Sequence, residues 1–212
     1  RSTLLVLDNF EHLVEGSGFL SEVIERAPHV ALLTTSRERL NVQSEWVFDV
    51  DGLGLAENGN GSASAMRLFV ERATQVAPGL TLDDAEHSQA LRICRLVDGM
   101  PLGIELAASW VSFLSCAEIA DEIEGNIDFL TTSMRDVPER HRSLRAVIDQ
   151  SWRLLTDEQR SAFSRLSVFH GSFDRSAALA VTGADLNLLS ELVSKSLLRR
   201  PDFGRFELHE LL

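Results

Sequence analysis

The sequence lacks any long apolar run. No stretch of its 212 residues approaches the roughly 18 uncharged apolar residues that a membrane-spanning helix needs. The first residues, Arg1 to Asp8, also lack a signal-peptide pattern, because their apolar run is short and ends at an acid. Both ends read as the interior of a protein, and we expect a segment of a longer cytoplasmic chain.

Cysteine is scarce, with two residues in the chain. Cys94 and Cys116 lie far apart in helical patterns, and neither has a Cys-x-x-Cys neighbour or a histidine at metal-ligand spacing. We interpret them as free core thiols of a protein from a reducing compartment.

Positive charge is also scarce in the first two thirds of the chain. Residues 1–137 hold 9 basic and 22 acidic side chains, residues 138–212 hold 11 and 10, and Lys195 is the single lysine. Non-specific binding to nucleic acid needs clustered lysine and arginine, so the acidic part is not expected to bind it. The near-neutral part leaves DNA binding open without supporting it.

The first segment alternates strand and helix. Apolar runs at Leu4 to Leu7 and Val30 to Thr34 predict parallel strands covered on both faces, joined through a helix between Phe10 and Ala27. Glycines at positions 16 and 18 should interrupt that helix. Trp46 to Val50 alternates and is a candidate for another short strand. The pattern predicts a βαβ unit.

After a Gly-, Asn- and Ser-rich linker at residues 58–64, the pattern becomes helical. Helices are predicted at Ala65 to Ala77, Asp84 to Leu96, Leu102 to Leu114 and Ala117 to Glu124. The sharpest break is Asp98-Gly99-Met100-Pro101, where glycine suits a helix C-cap and proline suits the first turn of the next helix.

A third segment begins near Pro138. Its helices are predicted at Leu144 to Leu155, from Thr156 onwards, at Asp174 to Val181 and at Asp185 to Leu197, and a strand, a turn and a strand follow from Leu198 to His209. Helices closed by one hairpin are the pattern of a winged helix. The chain is therefore predicted to be mostly helical.

Two polar side chains follow the predicted parallel strands. Asp8 follows the first and Arg37 the second, and ligands of open α/β sheets bind outside those strand ends. A carboxylate there can hold Mg²⁺ beside phosphates, and a guanidinium fits a terminal phosphate. Taken alone, Arg37 is better explained as a surface arginine paired with Glu38 or Glu11.

Two later residues are further candidates. Pro101 could lay its ring against an aromatic base, although its motif by itself is a helix break. His209 falls on the opposite face of its strand from Phe206 and Leu208, so by itself it is a surface histidine.

Four motifs occur in order: Asp8-Asn9-Phe10-Glu11-His12-Leu13, Thr34-Thr35-Ser36-Arg37-Glu38, Gly99-Met100-Pro101-Leu102-Gly103-Ile104-Glu105-Leu106-Ala107 and Leu208-His209-Glu210. Together they resemble the NB-ARC-type ATPases of the STAND class, especially bacterial transcriptional regulators of the antibiotic-pathway and tetratricopeptide-bearing kinds. The resemblance implies a partial P-loop NTPase sheet at residues 1–57, an all-helical (ARC1-like) domain at 65–134 and a winged-helix domain at 138–212.

The resemblance also implies roles for single residues. Asp8 is similar to the Walker B acid that positions Mg²⁺, and Arg37 to the sensor arginine that reads the γ-phosphate. Pro101 is similar to the proline that packs on the adenine. His209 is similar to the histidine that reaches the β-phosphate of ADP.

The sequence departs from the family pattern at three places. No Gly-rich loop with Gly-Lys-Ser/Thr precedes the first strand, so this segment is expected to bind nucleotide poorly and to hydrolyse it negligibly. Asn9 replaces an acid, and because an amide is no general base, Glu11 joins Asp8 as a candidate catalytic residue. The last motif has Leu and Glu where Met and Asp are usual.

The implied function is a regulatory ATP/ADP switch, in which nucleotide exchange shifts the balance between closed and open domain arrangements. Its partners would be the nucleotide with Mg²⁺, effector and repeat-sensor domains outside this sequence, and other copies when ATP is bound. One alternative is a DNA-binding winged helix that reads DNA through Asp185 to Leu197, supported by Arg199, Arg200 and Arg205. Another is an interaction scaffold with an inactive nucleotide site, which Asn9 favours.

Overall fold

In a computed structural model of the chain, the structure describes residues 2–55, 64–132 and 141–208. About half of these residues are helical. The described helices are α1 (Gly18–Arg26), α2 (Ser64–Val76), α3 (Asp84–Leu96), α4 (Pro101–Ala108), α5 (Cys116–Gly125), α6 (Leu144–Arg153), α7 (Asp157–Leu166), α8 (Arg175–Thr182) and α9 (Leu186–Ser194). The described strands are β1 (Thr3–Leu7), β2 (Val30–Thr34), β3 (Phe173–Asp174), β4 (Leu198–Arg199) and β5 (Arg205–Leu208).

The described chain divides into two compact units. Residues 2–49 and 155–208 form the first unit, and residues 50–154 form the second. None of the helices in the described ranges is long and apolar enough to cross a membrane.

The first unit opens with a two-stranded parallel sheet, as the apolar runs predict. β1 and β2 pair in register from Thr3 opposite Val30 to Leu7 opposite Thr34. The predicted helix between the strands is interrupted where its glycines lie: two 3-10 turns end at Gly16, and α1 begins at Gly18. Glycine weakens a helix there because it loses more backbone entropy on ordering than other residues.

Two expectations about this segment are wrong. The strands are not covered on both faces, since Leu4, Val6 and Leu33 are more than half exposed. One short helix covers only part of a two-stranded sheet. Trp46 to Val50 forms no strand, and Trp46 is 96% exposed. Alternation alone does not make a strand, because a strand also needs a neighbour to accept and donate its backbone hydrogen bonds.

The remainder of the first unit combines three helices with a small antiparallel sheet. The helices are α7 to α9, and the strands lie side by side in the sheet in the order β3-β5-β4. Thr156 caps α7 as predicted, in a capping box with Gln159. The buried Gln159 amide also donates from Nε2 to Glu191 Oε2 of α9 at 2.8 Å, which ties the two helices together. β3 is not predicted by the sequence, because two residues show no alternation.

The second unit packs α2 to α5 around an apolar core that includes Phe69, Ile93 and Ile104. Gly99 ends the turn after α3 with φ of 64°, and its carbonyl accepts from Leu53 N–H at 2.8 Å. A side chain at Gly99 would collide with the Leu53 backbone, so glycine is required there by conformation and by space.

α4 and α6 differ from the sequence expectation. α4 ends at Ala108 instead of continuing to residue 114, and Trp110, just beyond it, stacks on Phe129 with ring centroids 4.7 Å apart. α6 belongs to the second unit, where Leu144 N–H donates to Leu130 O at 3.1 Å. The expected domain boundary near residue 138 lies outside the described residues.

Candidate functional site

The carboxyl ends of β1 and β2 meet at one edge, which we call the strand-end edge (residues 8–11 and 35–39). Thr35 N–H donates to Leu7 O at 2.9 Å, and Phe10 N–H donates to Thr35 O at 2.9 Å. These two bonds continue the pairing past the last ladder residues. The segments that leave the two strands are therefore held side by side.

Asp8 is anchored by one neighbour and remains open to solvent. The Thr35 hydroxyl donates to Asp8 Oδ1, and Asn9 N–H donates to Thr35 Oγ1 at 3.0 Å. Asn9 has φ of 61°, a left-handed conformation that asparagine tolerates better than most residues. The result is an oriented, exposed carboxylate at the end of a parallel strand. Carboxylate oxygens of this kind are ligands that Mg²⁺ prefers.

Glu11 and Arg37 form an ion pair across the same edge. Arg37 Nε lies 3.4 Å from Glu11 Oε1, and the Glu11 side chain is 2% exposed. That oxygen accepts no hydrogen bond among the described residues, so the ion pair is its principal compensation for lost water. Of the two structural partners that the sequence offers for Arg37, the structure therefore selects Glu11.

The segment after β2 also contacts the end of α9. Lys195 Nζ lies 2.9 Å from Glu38 Oε1, with both side chains about four-fifths buried. Arg39 N–H donates to Ser194 O at 3.2 Å. The Ser196 hydroxyl donates to the carbonyl of Arg37 at 3.0 Å. Three consecutive residues of the strand-end edge are thus held by three consecutive residues that end α9.

Residues 40 and 41, which follow the strand-end edge in the chain, are held by hydrogen bonds to Glu45 and Ser17. Glu45 accepts backbone hydrogen bonds from Leu40 and Asn41, both at 2.9 Å, and Ser17 Oγ donates to Leu40 O at 3.1 Å. The loop that carries Arg37 is therefore an ordered turn with anchored backbone groups.

The structure brings together three of the predicted site residues. Asp8, Glu11 and Arg37 lie on the strand-end edge of the first unit. Pro101 lies in the second unit, where it is exposed at the first turn of α4. His209 lies outside the described residues.

Sequence reasoning missed one residue of this edge, Thr35, and one residue that contacts it, Lys195. Thr35, which orients Asp8, had a usable signal, because a hydroxyl directly after a parallel strand lies beside the residue that ends its neighbour. Lys195 had none, because its partner Glu38 is distant in sequence.

Comparison with known proteins places the chain beside mycobacterial relatives, although no family model matches it. It is 36% identical over 200 residues to a protein of Mycobacterium tuberculosis (strain H37Rv) named as an inferred HTH-type transcriptional regulator. It is 31% identical over 202 residues to an uncharacterized protein of the same strain. Counterparts in Mycobacterium bovis show the same identities.

These relatives are longer than the chain. The match to the regulator covers 93% of this chain and 22% of that protein. The match to the uncharacterized protein covers 91% of this chain and 50% of that protein. The chain therefore corresponds to about a fifth of one relative and half of the other.

Proposed function

We propose that this chain is part of a nucleotide-operated regulatory switch, with ATP or ADP and Mg²⁺ bound at the strand-end edge. The observation that carries the proposal is the placement of Asp8 and Arg37 beyond the carboxyl ends of two adjacent parallel strands. Ligands of open α/β sheets occupy that position. An acid for the metal and a guanidinium for phosphate are the complementary charges that a nucleotide needs.

The side chains on this edge fit Mg²⁺ and phosphate in chemistry. Asp8 presents hard carboxylate oxygen to solvent, and Thr35 orients it through a hydrogen bond. Bound Mg²⁺ would neutralise part of the phosphate charge. Asp8 would hold the ion, and Arg37 would face the terminal phosphate. Pro101 and His209 are assigned to the adenine and to the β-phosphate by the family resemblance alone.

In our proposal, hydrolysis of the bound nucleotide is slow for two reasons. Asn9 supplies no general base. Glu11 is buried against Arg37, so its carboxylate is held away from solvent in this conformation. We therefore propose that the longer protein binds and exchanges nucleotide but turns it over slowly. The chain by itself should show negligible ATPase activity, because it contains no Gly-Lys-Ser/Thr loop.

The regulatory part of the proposal is supported by the relatives. One of them is named as an inferred HTH-type transcriptional regulator. A chain that corresponds to 22% of such a protein would be one module of it, with sensing and output parts elsewhere. NB-ARC-type STAND membership, which the ordered motifs imply, belongs to this proposal. The assignment of residues 138–212 to a winged helix is also part of this proposal.

DNA binding by this chain is not favoured by the charges of α9. That helix carries Glu191 and no basic residue, and Lys195 beyond its end pairs with Glu38. Phosphate contacts require basic side chains turned towards the duplex.

The scaffold alternative differs from our proposal in one respect that can be measured, because a scaffold need not bind nucleotide.

The test uses the whole encoded protein. ADP with Mg²⁺ should raise its melting temperature, because a ligand at 100 times its Kd stabilises the folded state by about 2.7 kcal/mol. Arg37→Ala should reduce the shift produced by ATP. Asp8→Asn should reduce the additional shift produced by Mg²⁺. Arg26→Ala is the matched control, since Arg26 pairs with Glu22 on the surface of α1.

Two results would count against the proposal. A wild-type protein that shows no nucleotide-linked shift would favour the scaffold reading. Equal ATP shifts in Arg37→Ala and Arg26→Ala would remove Arg37 from the binding site.

A further inference from the structure

We infer that Lys195 is a positioning residue for Arg37, because its ion pair with Glu38 holds the end of α9 on the segment that carries the Arg37 guanidinium. The Lys195–Glu38 pair joins residues that are far apart in the chain and lie in the same compact unit. Arg37 is the immediate neighbour of Glu38. Because the two residues share a peptide bond, a contact that restrains Glu38 also restrains the backbone of Arg37.

The backbone around the ion pair makes the contact specific. Ser196 has φ of 56°, which is uncommon for a residue other than glycine. In this conformation its hydroxyl donates to the Arg37 carbonyl at 3.0 Å. On the other side of Glu38, Arg39 N–H donates to Ser194 O at 3.2 Å. The Arg37 peptide is consequently fixed from outside the strand-end edge.

The opposite end of Arg37 is fixed from inside the edge. Its Nε lies 3.4 Å from the buried Glu11 carboxylate. Ser196 thus holds the Arg37 backbone carbonyl, and Glu11 lies against the Arg37 guanidinium. Loss of the Lys195–Glu38 pair loosens residues 37–39 from the end of α9 and so widens the range of positions open to the Arg37 guanidinium. The Lys195–Glu38 pair thus favours the Arg37–Glu11 pair.

A consequence for ligand binding rests on the proposed function. A phosphate group that takes Arg37 must compete with Glu11 for the guanidinium. Release of α9 from Glu38 therefore raises phosphate affinity, and by reciprocity phosphate weakens the contact of α9 with residues 37–39. We call this contact of the end of α9 with residues 37–39 the latch, because it favours the Arg37–Glu11 pair over binding of phosphate by Arg37.

The first experiment needs no nucleotide. Arginine labelled with ¹⁵N at Nε is incorporated into the full chain, and Arg37 Nε–H is assigned by its loss in Arg37→Lys. Lys195→Met should speed exchange of the Arg37 Nε–H with solvent by about two- to five-fold, the range set by a partly exposed ion pair. Lys195→Arg should keep the wild-type rate. Arg160→Met is the matched control, since Arg160 pairs with Asp157 on α7 at 3.1 Å.

Charge reversal provides the specific rescue. Lys195→Glu and Glu38→Lys should each speed the exchange, and the double variant should return it towards the wild-type rate. Exchange of the Arg39 amide reports separately whether α9 has left the segment. If Lys195→Met speeds Arg39 amide exchange but leaves Arg37 Nε–H unchanged, Lys195 has no positioning role. A double variant that stays as fast as the single variants would also overturn the inference.

The second experiment measures ATP binding with Mg²⁺ in the whole encoded protein. Lys195→Met should tighten ATP binding by about two- to five-fold relative to wild type and Arg160→Met. Equal affinities in wild type and Lys195→Met would overturn the latch. Absence of ATP binding in wild type would instead overturn the proposed function, and the exchange result would then decide the positioning role by itself.

Discussion

At the scale of single residues, Cys94 and Cys116 show what burial does to a titratable group. Both thiols are fully covered in the second unit. Burial raises the pKa of Cys94 to about 12. The pKa of Cys116 is also raised to about 12, mainly by burial and to a smaller extent by the hydrogen bond and the negative charge of Glu86. Thiolate is the reactive form, so both residues should be inert in the folded protein.

The raised pKa values predict a pH dependence of stability. In the unfolded chain a thiol has a pKa of about 8.5, whereas in the folded chain it keeps its proton up to the raised pKa. The unfolded state therefore binds fewer protons above that pH. The free energy of unfolding should fall by about 1.4 kcal/mol per pH unit for each thiol as pH rises towards 12. Urea unfolding from pH 7.5 to 10.5 measures the slope.

The chain suits this measurement because few other groups titrate in that range. It has no tyrosine and a single lysine. Cys94→Ala and Cys116→Ala should each flatten the slope, whatever constant loss of packing they cause. Identical slopes in wild type and in both variants would contradict the prediction.

At the scale of the helix, the start of α5 is stabilised by a complete capping box. Ser115 Oγ accepts from Glu118 N–H at 3.3 Å, and Glu118 Oε2 accepts from Ser115 N–H at 2.9 Å. The hydroxyl and backbone of Ser115 lower the pKa of Glu118 by hydrogen bonding to its carboxylate. The stabilisation from that carboxylate is therefore present above its ordinary pKa and is lost as pH falls through the lowered value.

Ser115→Ala should lower the free energy of unfolding by about 1 kcal/mol at pH 7, because it leaves a helix-terminal N–H without its side-chain acceptor. Ser88→Ala is the control with the same chemical change, since Ser88 lies exposed inside α3. It should be neutral or slightly stabilising, as alanine is the better helix former. Chemical denaturation of both variants checks the difference, and equal losses would refute the capping role.

At the scale of the whole molecule, net charge bears on whether the chain binds DNA. The formal charge is −12 at pH 7. Acidic proteins repel the phosphate backbone, and non-specific DNA affinity comes from release of counterions by basic side chains. Of the arginines near β4 and β5, Arg205 is engaged within the chain, since its Nε donates to Ser172 Oγ at 2.8 Å.

The chain should therefore not shift duplex DNA in an electrophoretic assay at physiological salt, where non-specific binders show Kd values of about 10⁻⁴ to 10⁻⁶ M. The assay should include a titration to low salt, because weak electrostatic binding would become visible there first. Tight binding that weakens steeply with salt would instead support the DNA-binding alternative.

The agreement between sequence and structure differs by element, for identifiable reasons. α3 is found with the predicted bounds, because Asp83 caps its first turn and the glycine turn ends it. The Trp46–Val50 strand is absent, and β3 was not predicted. A cap or a positive-φ turn is encoded in a few adjacent residues, whereas a short strand depends on whether a distant strand pairs with it.

The sequence by itself determined the local features: the parallel strand pair, the helix caps, the Gly99 turn and the presence of an acid and an arginine after adjacent strands. Only the tertiary structure decided that Arg37 pairs with Glu11 instead of Glu38, and that Glu38 pairs with Lys195. The physical reason is that periodicity and capping act over a few residues. Ion-pair choice depends on which charges are brought within about 4 Å and shielded from water, and only the packed chain determines that.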